Sequence, residues 1–178
     1  TFGKSSSAYS TPWNGFPGNI NSSLLGGNNT DTGVNNIQYT AQFGNGVSGT
    51  LSAQEPTLYT QAGILNATGA TLATIVNGVN GVNNIAGTRV PDLIGSLQVD
   101  QAWGLFKLSA VAHNNTPGYY GATELTGHPD DNWGFAVQGA LQLKNLPTGA
   151  GDTLNLQAIY TDGATRYNFQ SLSVVSYS

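Results

Sequence analysis

The stretch NNIQYTAQFGNGVSGTLSAQ, residues 35–54, alternates between apolar and polar side chains on both sides of a central Gly-Asn-Gly. Strict alternation is typical of β-strands that have two different faces, and the glycine-rich centre predicts a hairpin turn. If Phe43 pairs with Val47 across a three-residue loop, Tyr39 falls opposite Leu51 and apolar residues meet apolar ones. We therefore predict an antiparallel hairpin with one apolar and one polar face.

The polar face of this hairpin contains no charged residue. Its side chains are those of Asn36, Gln38, Thr40, Gln42, Ser48, Thr50, Ser52 and Gln54. Charged residues make up only 8% of the chain, against about 25% in a typical soluble domain, whose water-facing strands carry Lys, Arg and Glu. The pattern fits an apolar face toward lipid, where a charge costs about 2–4 kcal/mol at the bilayer midplane, and a polar face toward an aqueous lumen.

Two further pairs of alternating strands follow along the chain. Residues 92–113 predict a second hairpin with a tight turn at Trp103-Gly104, and residues 132–143 and 153–160 predict a third pair. The connections alternate between short and long, at 44–46, 56–89, 103–104, 114–131 and 144–152. Outer-membrane barrels combine short periplasmic turns with long external loops, whereas compact soluble domains rarely hold loops beyond about 15 residues. We predict about six or seven strands, preceded by an irregular stretch at 3–33.

Aromatic and charged residues occupy distinct places in this pattern. The aromatic ones cluster at strand ends, as in the girdles of membrane barrels: Phe43, Trp103, Trp133 and Tyr160. Strand parity places Asp92, Asp100 and Lys107 on the polar face. Arg89 lies just before the start of the strand that contains Asp92. Asp100 is expected opposite Lys107, and this pair could have one of two roles. It could contribute to a transverse electric field across a channel, or it could form a cross-strand ion pair that contributes about a few tenths of a kcal/mol to stability.

Two segments resemble the middle of the alphaproteobacterial outer-membrane porins. They are PGNINSSLLGGNNTDTGVNNIQYTAQFGNGVSGTLSAQEP (17–56) and VPDLIGSLQVDQAWG (90–104). Those porins are trimers of sixteen-stranded antiparallel barrels that pass small hydrophilic solutes. The resemblance implies that residues 3–33 are the external loop that folds inward and narrows the barrel, with Lys4 and Asp31 as candidate constriction residues. Residues 34–178 would supply wall hairpins and external loops.

The expected fold class is therefore an all-β, antiparallel transmembrane β-barrel segment that is incomplete on its own. About six or seven strands cannot close such a barrel, and open edges in lipid leave backbone groups unpaired. We expect residues 1–178 to be a partial porin domain, either from a longer chain or a fragment. Its edges would pair with the remaining strands of the parent barrel or with other copies of the chain. The resemblance implies outer-membrane lipid as its surroundings and a homotrimer for the full-length protein.

Other functional classes find little support. A net charge of −4 without a basic run argues against nucleic acid, and no nucleophile motif or metal-ligand spacing is present. We therefore predict no catalysis and no cofactor. Asp130 and Asp131 are the best candidates for calcium, although the ion takes roughly six to eight oxygen ligands.

The expected function is a water-filled channel in the bacterial outer membrane for passive diffusion of small hydrophilic solutes and ions. Two alternatives stay open. A soluble secreted β-sandwich could bind carbohydrate through loops rich in Asn, Asp and aromatic residues. A fragment of this kind could also self-assemble through its open strand edges.

Overall fold

Neighbouring alternating segments pair in the order in which they occur in the chain. A computed structural model describes residues 1–13, 33–57, 60–64 and 85–168, which form one antiparallel sheet of seven strands. The strands are β1 (Phe2–Ser5), β2 (Val34–Gly44), β3 (Val47–Gln54), β4 (Asp92–Gln101), β5 (Gly104–Asn115), β6 (Asn132–Lys144) and β7 (Thr153–Asp162). This confirms the predicted all-β antiparallel fold and the number of strands. In the described part of the chain the sheet is open, with β1 and β7 at its edges.

Within the described residues, helical structure is limited to two short 3-10 helices, Glu124–Thr126 and Thr165–Tyr167. The second follows β7 directly, and its last residue is buried against the sheet. Among the residues that the structure describes, no helix combines the length and hydropathy needed to cross a bilayer.

The register of the first hairpin agrees with the prediction, and that of the second differs from it. Tyr39 lies opposite Leu51 in the first hairpin. In the second, Leu97 lies opposite Leu108, whereas the predicted turn at Trp103-Gly104 would place Ala110 there. Because the side-chain period of a strand is two, this shift of two residues leaves every side chain on its predicted face. The second turn occupies residues 102–103, one position earlier than predicted.

The turn of the first hairpin is tighter than the predicted three-residue loop. Val47 pairs with Gly44 instead of Phe43, and the register shift leaves Phe43 as a bulge. Asn45 and Gly46 both have positive φ angles, +49° and +73°. Two-residue hairpin turns that match the strand twist need this conformation, which Asn and Gly tolerate best. Local turn chemistry therefore selects the shorter loop.

One face of the sheet is apolar and exposed. The large side chains on it include Ile37, Tyr39, Leu51, Leu93, Leu97, Phe106, Leu108, Phe135, Val137, Leu154 and Leu156. Tyr39 is 73% exposed and Leu51 is 69% exposed. In a soluble sandwich a second sheet would cover these residues, but the described residues form a single sheet. This arrangement argues against the sandwich alternative.

The connections sort by length between the two ends of the sheet. The turns at 45–46, 102–103 and 145–152 lie at one end, which we call the turn end, and the longer connections leave the other, which we call the loop end. The predicted alternation of short and long connections is thus confirmed. The stretch 3–33, expected to be irregular, instead begins in strand β1, which pairs with β2. Four residues form too short a pattern for sequence analysis to detect.

Candidate functional site

The polar face of the sheet carries mainly amide and hydroxyl side chains that meet across strands. The hydroxyl oxygens of Thr40 and Thr50 lie 2.9 Å apart, and Gln157 Nε2 donates to Gln138 Oε1 at 3.0 Å. Amide and hydroxyl groups form hydrogen bonds without carrying charge. Thr40 is exposed and can bond to water, whereas Gln138 is fully buried and bonds within the protein. This face is therefore polar but mainly electrically neutral.

A short stretch of chain after β1 lies against this polar face. Residues 7–11, here called the inward segment, are buried, and Tyr9 has no exposed surface. Two side chains of the sheet hold its backbone: Gln138 Nε2 donates to the carbonyl oxygen of Tyr9 at 3.1 Å, and Lys107 Nζ donates to that of Ser10 at 2.7 Å. The inward segment is thus tied to both β5 and β6.

A second tyrosine completes a small apolar cluster on this otherwise polar face. Tyr167 packs edge-to-face on Tyr9, with ring centroids 4.8 Å apart, a geometry that contributes about 0.5–1.5 kcal/mol beyond the burial of area. The cluster consists of Ala8, Tyr9, Ile94, Val111, Ala136, Ala164 and Tyr167. The apolar side chains from β4, β5 and β6 interrupt the polar pattern because they lie beneath the inward segment.

Asp92, the first residue of β4, is a fully buried hydrogen-bond acceptor. Its Oδ1 lies 2.6 Å from Nδ1 of His113, while its Oδ2 accepts hydrogen bonds from the hydroxyls of Thr60, at 2.9 Å, and Tyr167. Gln54 Nε2 donates to the same tyrosine hydroxyl at 3.2 Å. We call these five residues the Asp92 cluster. It joins the β3–β4 connection, strands β3 to β5 and the segment after β7.

The two tyrosines of this region stay protonated. Burial raises the pKa of the Tyr167 hydroxyl well above its ordinary value, and the negative charge of Asp92 raises it further. Burial also raises the pKa of Tyr9. Since deprotonation would place a second negative charge beside a carboxylate, Tyr167 remains a hydrogen-bond donor to Asp92 across the physiological pH range.

The structure places the three charged residues of β4 and β5 on the polar face, but it pairs them differently from the expectation. Lys144 Nζ, not Lys107, lies 2.6 Å from Asp100 Oδ1. The register explains this correction, because Lys107 lies opposite Gln98 and its ammonium points beneath the inward segment. Asp92 also lies on the polar face, but it is fully buried within the Asp92 cluster.

The remaining charged candidates lie elsewhere. Lys4 lies on the same side of β1 as Phe2, on the exposed apolar face, so it does not fit the expected constriction role. The unpredicted strand β1 sets this orientation. Arg89 lies at the loop end with its guanidinium 3.0 Å from the carboxylate of Asp131. Asp31 falls outside the described residues.

The structure adds no further ligand to the calcium candidates Asp130 and Asp131. Within the described ranges, no group of three or more His, Cys, Asp or Glu side chains is arranged to hold a metal ion. Asp131 instead binds Arg89. The two carboxylates alone fall short of the roughly six to eight oxygen ligands of calcium.

The four candidate girdle residues are exposed and divide between the two ends of the sheet. Phe43 and Trp103 lie at the turn end, and Trp133 and Tyr160 lie toward the loop end. Aromatic residues at two levels, separated by an aliphatic band, are the arrangement seen at the two interfaces of membrane barrels.

Most of the contacts at this site do not follow from the sequence pattern. The predicted register, with Asp100 opposite Lys107, places Asn115 opposite Asp92, whereas the observed β4–β5 register, extended by one residue, places His113 there. Tyr9 and Tyr167 carry no signal in the sequence, because both lie outside the alternating strands and are brought together only by the fold.

Comparison with known proteins identifies the family. A family model described as a porin subfamily matches residues 1–174, a range that includes all seven strands. No curated protein and no solved structure matches the chain. The family match agrees with a sheet that is apolar and exposed on one side and lined by neutral polar groups on the other. The chain belongs to the porin family.

Proposed function

We propose that this chain forms part of the wall of a water-filled channel in the bacterial outer membrane, through which small hydrophilic solutes and ions diffuse passively. One observation carries the proposal: a single sheet exposes its apolar face and lines its other face with amides and hydroxyls. Lipid is the natural contact for the first face, and water for the second. Family membership supports a channel over an enzyme.

The polar face suits passage without tight binding. A conducting path must let solutes enter and leave readily, and neutral hydrogen-bonding groups replace part of a solute's hydration without trapping an ion. The inward segment would narrow the passage, as the constriction loop of the porins that this sequence resembles does. In this view Lys107 and Asp92 hold the constriction in place, while Asp100 and Lys144 form an ion pair at the turn end.

The full-length channel would extend beyond these seven strands. Unpaired strand edges in a bilayer leave backbone groups without hydrogen bonds. We infer that β1 and β7 pair with further strands of the same barrel. The resemblance to the alphaproteobacterial porins further suggests a sixteen-stranded barrel that assembles as a homotrimer.

Planar-bilayer recording of the full-length protein tests the channel. Discrete conductance steps are expected after insertion, and proteoliposomes are expected to swell in small neutral sugars. Boiled protein serves as the control, because unfolding removes the pore but keeps the composition of the sample. Protein that inserts into the bilayer and yields no steps would contradict the proposed function.

Replacement of Lys107 by methionine is expected to release the inward segment. The variant keeps an unbranched apolar stem but loses the ammonium that binds Ser10. A hydrogen bond to a charged group contributes about 1.5–3 kcal/mol, so detachment is expected to become roughly 10- to 150-fold more favourable. The chain has no cysteine, and Thr11 is 3% exposed, so maleimide labelling of a Thr11→Cys variant reports detachment.

The matched control is Lys144→Met in the same Thr11→Cys background. Its ammonium contacts Asp100 at the turn end, not the inward segment, so the labelling rate is expected to stay at the parent value. Faster labelling with Lys107→Met alone supports the anchoring role. Equal rates in the two variants would contradict it.

A further inference from the structure

The polar face is covered on one side of the sheet and accessible on the other. Lys107 and Gln138, which bond to the inward segment, flank Ser109 on β5, and Ser109 is only 1% exposed. Six polar-face side chains of β2 to β4 are instead exposed or half-buried: Thr40, Gln42, Ser48, Thr50, Ser96 and Gln98. We call these six residues the open patch. Its border with the covered region runs between β4 and β5.

The open patch consists of two rows that run across the strands. One row contains Thr40, Thr50 and Ser96, and the other contains Gln42, Ser48 and Gln98. Neighbouring strands lie about 4.8 Å apart, and alternate residues of one strand lie about 7 Å apart. The patch therefore spans about 10 Å by about 7 Å, an area that a small hydrophilic molecule can cover.

Every side chain of the open patch can both donate and accept hydrogen bonds, because each ends in a hydroxyl or a primary amide. The hydroxyl oxygens of Thr40 and Thr50 lie 2.9 Å apart, and a bond between them uses only one of their two hydrogens. Within the described part of the chain, the side chains of the patch form no other hydrogen bond. A solute with several donors and acceptors close together complements such a surface.

The charges on the polar face of the described strands are all bound within the protein. Asp92 and Lys107 are buried, with partners in the Asp92 cluster and the inward segment. Asp100 and Lys144 pair with each other at 2.6 Å. Pores that select ions by charge use rings of acidic or basic side chains. The open patch therefore suits neutral solutes better than ions.

We propose that the open patch binds neutral polyhydroxylated solutes, the class of sugars and sugar alcohols, as they pass the inward segment. This inference rests on the proposed channel function and names the class of solute that the channel wall recognises. Hydroxyl groups of the solute exchange hydrogen bonds with the two rows in place of water. Because the net gain from each exchange between neutral groups is small, the solute binds briefly and moves on.

Block of the ion current through the full-length protein in a planar bilayer tests the patch. Maltose is the probe, and a poly(ethylene glycol) fraction of the same hydrodynamic radius is its control. The polymer is also neutral, but it carries ether acceptors along its length and hydroxyl donors only at its ends. Maltose is expected to lower the current with a saturable dependence on concentration, whereas the polymer is expected to lower it without saturation.

Ser96→Ala and Ser109→Ala form a matched pair, because these two serines lie opposite each other in the β4–β5 register. Ser96 belongs to the open patch, whereas Ser109 is buried and its hydroxyl has no partner among the described residues. Loss of one hydrogen bond between neutral groups is expected to raise the half-saturating maltose concentration about two- to tenfold in Ser96→Ala. Ser109→Ala is expected to keep the parent value.

Two results would overturn the open patch as a solute site: equal block by maltose and the polymer, or equal half-saturating concentrations in the two serine variants. Thr50→Val keeps the shape of the side chain but loses its hydroxyl, and it replaces Ser96→Ala if that variant does not fold. Conductance recorded in the same experiment separates the two proposals. Channel activity without saturable block contradicts the solute class alone, whereas insertion without conductance contradicts the channel and, with it, this inference.

Discussion

Replacement of Asp92 by alanine is expected to lower the free energy of unfolding by about 3–5 kcal/mol, the range found when one partner of a buried charged network is removed. Thr60, His113 and Tyr167 would all lose their common buried acceptor. Each buried polar group left unsatisfied costs about 1–3 kcal/mol. Denaturant titration in detergent, followed by tryptophan fluorescence, measures the change.

Asp100→Ala is the matched control for this prediction. Asp100 lies on the same strand and face and also pairs with a basic side chain, Lys144 at 2.6 Å. The two side chains are 47% and 30% exposed, however, and exposed ion pairs contribute at most about 1 kcal/mol. Similar losses in the two variants would show that the Asp92 cluster does not hold the loop-end segments together.

Replacement of Leu51 by lysine is expected to destabilise the inserted protein by about 2–4 kcal/mol, the cost of a basic side chain on the lipid face near the bilayer midplane. Leu51 lies well inside β3 on the apolar face. The ammonium group of the introduced lysine would have to leave water or distort the bilayer. Urea unfolding in lipid vesicles measures the change.

Thr40→Lys tests the opposite face of the adjoining strand. Thr40 lies on the polar face and is exposed, so a lysine there can extend into water. The expected change is within about 0.5 kcal/mol, as for ordinary surface substitutions. If the apolar face met water instead, the exposed Leu51 would accept lysine as readily as Thr40 does. Equal effects would thus exclude lipid as the contact of that face.

The sequence by itself determined strands β2 to β7, their faces and the alternation of short and long connections. Alternation with a period of two is a local property, so each residue's position in its strand decides the face on which it lies. The pairing of Tyr39 with Leu51 follows from the glycine-rich turn between them. The observed turn is one residue shorter than the predicted one. Apolar side chains still lie opposite each other, because Phe43 forms a bulge that absorbs the difference.

Only the tertiary structure decided which polar groups meet. Tyr167 reaches Asp92 from 75 residues away, and Lys107 reaches Ser10 from 97 residues away. The connections that bring these groups together have no periodic pattern, so nothing local specifies where they return to the sheet. The same reason applies to Lys4, whose outward position depends on a four-residue strand that exists only because β2 is there to pair with it.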